Sequence, residues 1–455
     1  MTSTVPPDAP PAGRGGVLAR PYTLTTIGTF ALVFFTAFEA LAVTTVMPTV
    51  ARELDGVGLF ALSFAAPLAS GVVGMVATGW WSDARGAARP LLVSVALFGI
   101  GLLVCGLAPS MPVLVLGRLV QGLGGGGLTV GLYVVVGEVY PTAMQPAIFA
   151  SFAAAWVLPS LVGPSIAAAV AALAGWRWVF LGVVALVAGA AALIVPAVRS
   201  LTRAESAHAQ VGAVRRLGWS LVAAVAVLVL DLAGRSTSAA GLAAAAVAAA
   251  VVVVAVRPLI PRGTLTGHRG LPSVVLTRGG LAAGFVGAEA YLPFVLQERW
   301  GWSTAAGGAA LAAAGIAWAS ASQAQARWKD HLSDTAAMVV GSAVLVTGVA
   351  AAWLVVAFHA PAGLLVLAYG VASVGMGTGY PRTSVATLAA STDADRGFNS
   401  SSLSIADSLG AAFALAVCGV VFSTYDAAPF QAVYTVALAC AVVPALAAPR
   451  TRRTA

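Results

Sequence analysis

Four acids and three arginines stand inside or at the edges of stretches that are otherwise apolar. They are Glu39, Asp231, Glu289 and Asp407, with Arg118, Arg278 and Arg382. A carboxyl in low-dielectric surroundings holds its proton more tightly, which suits it to take up and release protons near neutral pH. A guanidinium in a bilayer costs at least about 3 kcal/mol, so it must face a partner or a wet cavity. Glu39 lies near the middle of the first apolar stretch and Glu289 well inside the ninth. Two such groups at related places would face a shared cavity; alternatively each is a structural carboxyl bonded to a neighbouring helix. Arg118 reads either as a charge-balancing partner for such acids or as a structural arginine on backbone carbonyls. Asp231 has Arg235 four residues on, so an i,i+4 pair is expected there. Asp407 is expected either to pair with Arg382 or to line the cavity.

Positioning these groups takes long apolar helices. The chain has 455 residues, 60% hydrophobic and only 9% charged, with mean hydropathy +0.94. A soluble domain carries about 25% charged residues, so a soluble enzyme and a nucleic-acid-binding module are both excluded. A spanning helix needs about 20 apolar residues. Fourteen candidates occur, at residues 22–48, 57–81, 90–108, 112–136, 146–173, 177–197, 217–234, 239–257, 273–297, 303–326, 335–358, 361–388, 398–422 and 430–448. Residues 1–20 read as a disordered cytoplasmic tail. With the N-terminus inside, inner loops and tails hold 17 Lys and Arg against 4 in outer loops, which favours both termini in the cytoplasm. Only one lysine is present, Lys329, and Asp330 follows it. The phosphate-binding loop that ends in Lys-Ser or Lys-Thr is therefore absent, and no ATP is expected. The three cysteines and four histidines show no metal or disulfide spacing, so no cofactor and no metal are expected.

Four stretches carry patterns. Residues 79–90, GWWSDARGAARP, join the second and third spans; Gly79 and Gly86 permit close packing and a tight turn, and Asp83 is placed to cap the third span. With Arg89, and with Glu138 meeting Arg85 or Arg89, this reads as a conformational latch or as a plain capped turn. Residues 114–127, LVLGRLVQGLGGGG, hold Arg118 and a run of small residues that lets helices approach closely. Residues 154–168, AAAWVLPSLVGPSIA, hold Pro159 and the pair Gly163-Pro164, which should kink the fifth span. Residues 175–180 read GWRWVF.

These stretches resemble the major facilitator superfamily, and within it the fourteen-span drug:proton antiporters, over nearly the whole chain. Residues 79–90 are similar to the family's signature between spans 2 and 3, with Gly79, Asp83 and Gly86 in place; Ala84 and Ala87 stand for two expected arginines, leaving Arg85 and Arg89. Residues 114–127 are similar to the span 4 signature through Arg118, Gln121 and Gly122. Gly163-Pro164 resembles the span 5 antiporter signature, with Ala167-Ala168 where Gly-Gly is usual.

The resemblance implies an all-α membrane fold of two six-helix bundles, at 21–198 and 258–449, plus two inserted helices at 217–257 after a cytoplasmic linker at 199–216, and a short tail at 450–455. It implies a monomeric proton-coupled exporter of small hydrophobic or amphipathic compounds in a bacterial cytoplasmic membrane. Protons, the small-molecule substrate and the lipid bilayer are the expected partners. In that scheme Glu39, Arg118, Glu289 and Asp407 carry coupling or line the cavity. Proton-driven uptake of a nutrient is the alternative within transport. A membrane-embedded lipid-modifying enzyme would need a polar catalytic loop, and the longest inner loops hold mostly Arg, Gly and Ala.

Overall fold

The computed structural model describes residues 18, 22–141, 144–199, 212–236, 238–328, 331–392, 395–425 and 427–452. All of the expected tail 1–20 except residue 18, and most of the linker 199–216, lie outside them. Among the described residues, fourteen helices are long and apolar enough to cross a membrane. They are α1 (Thr23–Glu53), α2 (Phe60–Arg85), α3 (Ala88–Gly106), α4 (Met111–Val139), α5 (Gln145–Ala174), α6 (Arg177–Arg199), α7 (Ala213–Gly234), α8 (Ala239–Val256), α9 (Leu271–Trp300), α10 (Thr304–Arg327), α11 (Asp334–Ala357), α12 (Ala362–Ala390), α13 (Arg396–Thr424) and α14 (Pro429–Ala447). An even count leaves both ends of the chain on one side, called here the termini side; the other is the far side.

Several helix boundaries carry local signals. Ser238, Ser303 and Ser333 cap α8, α10 and α11 by accepting from the N–H of Gly241, Ala306 and Ala336. Such side chains satisfy amides that have no partner within the helix. Gly86, Gly175 and Gly301 follow α2, α5 and α9 at positive φ, where a side chain would be strained. α5 runs as one helix through Pro159 and Pro164.

The glycine run of α4 is a packing surface. A Cβ on Gly124 would stand 2.6 Å from the Ser94 carbonyl of α3, and one on Gly126 would overlap the backbone of Gly71 in α2. Backbones this close gain dispersion contacts that a bilayer does not offer to larger side chains. The second half repeats the device: a Cβ on Gly375 of α12 would stand 2.6 Å from the Gly341 carbonyl of α11.

The inserted pair sits beside the seam between the halves. α8 packs on α7, and α7 packs on both α2 and α13. The seam itself is made by α2 against α13 and by α5 against α10. On the far side it is closed. Arg52 of α1 donates to Glu298 (2.7 Å) and to Gln297 (2.6 Å) of α9, and Thr49 bonds Thr304 of α10 at 3.2 Å. Beneath them the Phe60 ring lies 5.1 Å from Tyr291 and 4.8 Å from Phe294.

Candidate functional site

The first half holds a closed knot of charge. The glycines of α4 bring it against α2, which sets Arg118 beside α1. Arg118 Nη1 donates to Glu39 Oε1 at 2.6 Å and to Gln121 Oε1 at 2.5 Å, and its Nε donates to the Ser63 carbonyl at 3.0 Å. The two charged side chains are only 7% and 5% exposed. A buried carboxylate is tolerable here because the cation and its hydrogen bonds surround it.

The second half has the same frame with one change. Arg118 is the eighth residue of α4 and Tyr369 the eighth of α12. Gly124 and Gly126 follow the first at the spacing at which Gly375 and Gly377 follow the second. Glu39 is the seventeenth residue of α1 and Glu289 the nineteenth of α9. Glu289 meets the Tyr369 hydroxyl where Glu39 meets a guanidinium. That hydroxyl is fully buried and lacks a hydrogen bond of ordinary geometry. Among the described residues Glu289 has no ion-pair partner.

A second cluster stands nearer the termini side. Arg278 of α9 donates from Nε to Asp407 Oδ1 at 2.8 Å and from Nη1 to Thr383 Oγ1 at 3.1 Å. Its guanidinium carbon lies 3.3 Å from the centre of the Tyr380 ring, and the Tyr380 hydroxyl donates to Asp407 Oδ2 at 3.2 Å. Tyr133 of α4, 52% exposed, is within electrostatic reach of Arg278 across the seam. Phe285 and Trp318 bridge the two sites by ring contacts, Phe285 at 5.1 Å from Tyr369 and Trp318 at 5.5 Å from Tyr380.

Asp407 therefore does not pair with Arg382. Arg382 instead donates to Gln325 and, at 2.9 Å, to Asp334, tying α12 to α10 and α11. The two residues sit on different helices, and α13 turns Asp407 toward α9. The expected i,i+4 pair of Asp231 and Arg235 is present.

The latch residues are only partly joined. Asp83 and Arg89 are exposed, and the N-terminus of α3 takes no side-chain cap from its own N-cap residue. Glu138 of α4 is exposed and meets neither Arg85 nor Arg89 in a described ion pair; it ends α4 near Ala87, the residue before α3. The expected capping by Asp83 is corrected on this point: Gly86 turns the chain at positive φ, and no side-chain bond joins Asp83 to α3 among the described residues. Gly79 packs toward Val130 of α4. Gly163 faces Phe38 of α1, and the Pro164 carbonyl lies 3.0 Å from where a Cβ on Gly308 of α10 would stand. The pair Gly163-Pro164 thus sits where α5 meets both its own half and the other. In the stretch 175–180, Trp176 Nε1 donates to Glu53 Oε2 at 2.7 Å, and Arg177 stacks on Trp176.

A profile described as the Major Facilitator Superfamily matches residues 29–415. The chain belongs to the major facilitator superfamily. It is a transporter and not an enzyme. A "Probable multidrug-efflux transporter" of Mycobacterium tuberculosis (strain ATCC 25618 / H37Rv) is 28% identical over 399 residues, covering 83% of each chain. An "Uncharacterized transporter" of Schizosaccharomyces pombe (strain 972 / ATCC 24843) is 34% identical over 149 residues, 32% of this chain and 25% of that protein. The chain thus spans a quarter of one curated relative and most of the other. Among solved structures, a POT family transporter in complex with 5-aminolevulinic acid gives a TM-score of 0.69 at 14% identity, covering 94% of this chain and 97% of that one. A D-xylose-proton symporter gives 0.65 at 16%, covering 93% and 95%. At these identities the facilitator fold is what is shared.

Within this facilitator, three residues of the site escape a reading by sequence. Arg278 stands out as a charge within a span, but its partner, Asp407, lies on a distant helix and cannot be read from the chain. Tyr369 and Tyr380 look like packing aromatics. The signal for Tyr369 was its register against Arg118 and the glycines that follow each.

Proposed function

We propose that this facilitator exports small hydrophobic or amphipathic compounds in exchange for protons, by alternating access across a bacterial cytoplasmic membrane. The observation that carries the reading is the contrast between the paired acids. Glu39 is ion-paired to Arg118. Glu289 stands at the related place against a phenol, with no described cation. A carboxyl in that setting gains or loses a proton at small cost, and the gain changes the charge inside the second half. The positive-inside arrangement supports termini in the cytoplasm; with that orientation the closed far side would be the outer face and the described state inward-facing.

Proton uptake by Glu289 from outside favours return to this state, and release to the cytoplasm resets it. Each proton moving inward supplies about 2.3 kcal/mol per 100 mV and about 1.4 kcal/mol per pH unit. Arg118 fixes the geometry of the first half. Arg278, Asp407 and Tyr380, together with the half-exposed Tyr133, form a polar and aromatic lining suited to amphipathic ligands. Relatives named as efflux transporters support the direction of transport. Asp83, with Gly79, Gly86 and Arg89, would engage when the termini side closes.

The test is proton flux in proteoliposomes under an imposed pH gradient, on adding candidate amphipathic compounds, with the wild-type chain and Glu289→Gln. The wild-type chain should exchange protons for substrate, and the variant should not. Full gradient-driven export by Glu289→Gln would overturn the assignment, and substrate moving with the proton would make the protein an importer.

A further inference from the structure

The inserted helix α7 carries an acid that the scheme above leaves unused. Asp231 is completely buried, close to the far-side end of α7. It is wedged between the two halves. The place a Cβ would take on Gly419 of α13 overlaps Asp231 Oδ1 and lies 2.7 Å from the Ala61 Cβ of α2. Gly419 is thus required for α13 to close over the carboxyl. Oδ2 is paired with Arg235, whose side chain is 17% exposed and whose Nη1 lies beside Gly58. Oδ1 is fully buried and accepts no hydrogen bond among the described residues.

The charged and titratable groups facing it are few. On α7 there is Arg235. On α9 Tyr291 is within electrostatic reach, and its hydroxyl is also buried without a partner. On α13 Cys418 adjoins Gly419, and on α2 the facing residue is Ala61. α8 contains no titratable residue.

A carboxylate oxygen sealed from water without a donor destabilises the arrangement that seals it. The neutral acid carries no such charge and can turn its O–H toward a neighbouring oxygen. Arg235 can then keep its charge near the surface, as long basic side chains do. The sealed seam and the charged carboxyl are therefore in opposition. We propose that Asp231 is a second proton site of this transporter, on the inserted helix, and that its protonation state sets the far-side gate: neutral favours closed, charged favours open. The inserted pair is then part of the gate. The proposal rests on the alternating-access reading but not on Glu289 or on any substrate.

The experiment measures the gate directly. Spin labels at Leu107→Cys and Phe358→Cys, both exposed on the far side in opposite halves, are placed in a chain with Cys105, Cys418 and Cys440 changed to Ser. Distance distributions are recorded by pulsed electron resonance in proteoliposomes without substrate, at about pH 5.5 and about pH 8.5. The parent should shift its open-to-closed ratio toward open by about tenfold at the higher pH. Asp231→Asn should stay closed at both. If Asp231→Asn fails to fold, Arg235→Met serves: an acid without its cation should open the gate further at the higher pH. A parent with no pH response, an Asp231→Asn that keeps it, or an Arg235→Met matching the parent overturns the proposal. Because no substrate is present, a transport-dead Glu289→Gln that still moves its gate with pH separates this outcome from failure of the coupling assignment.

Discussion

The Glu39–Arg118 pair allows a prediction with a worked magnitude. Both side chains are nearly inaccessible, and the guanidinium also serves Gln121 and Ser63. Arg118→Met removes the cation and keeps an unbranched apolar stem. It leaves a dry carboxylate, which should cost about 3–5 kcal/mol. Glu39→Gln keeps an amide oxygen to accept from Arg118, so it loses mainly the charge-assisted part, about 1.5–3 kcal/mol. The double variant leaves neither charge unpaired. Its loss should fall short of the sum of the single losses by at least about 2 kcal/mol. The measurement is a double-mutant cycle on unfolding in mixed micelles. The Arg52–Glu298 pair serves as reference: its side chains are 41% and 42% exposed, and such pairs contribute about 0–1 kcal/mol. Losses that add to within about 0.5 kcal/mol would refute the argument that desolvation makes the two charges depend on each other.

Two further predictions concern the repeat and the turn. Tyr369→Arg should give Glu289 the cation that Glu39 already has, so gradient-driven transport in proteoliposomes should drop to background while Tyr369→Phe keeps it; transport by a folded Tyr369→Arg would mean that the missing cation is irrelevant. At the α2–α3 turn, Asp83 is exposed and caps no amide, so Asp83→Asn should change stability by less than about 0.5 kcal/mol, read from thermal unfolding in detergent. A loss of about 1 kcal/mol or more would show that Asp83 holds the terminus of α3.

The number and extent of the spans could be read from the sequence because spanning a bilayer is a one-dimensional property. An apolar run of sufficient length, bounded by arginines, serine caps and glycines, has no competing solution. The same holds for Asp231 and Arg235, one helical turn apart, and for the close packing around the glycines of α4. Partners on different helices are another matter. Each residue turns the helix by about 100°, so the neighbour a side chain meets depends on helix rotation, which depends in turn on packing by the whole bundle. That rotation gave Asp407 to Arg278 and Arg382 to Asp334. It left Asp83 exposed and the start of α3 without a side-chain cap from its N-cap residue. It set Tyr369 against Glu289 as Arg118 is set against Glu39, and carried Asp231 into the seam between the halves. Composition decides that a charge in the membrane must be compensated; only the packed bundle decides which group compensates it, because the compensation is made over a few ångströms between segments far apart in the chain.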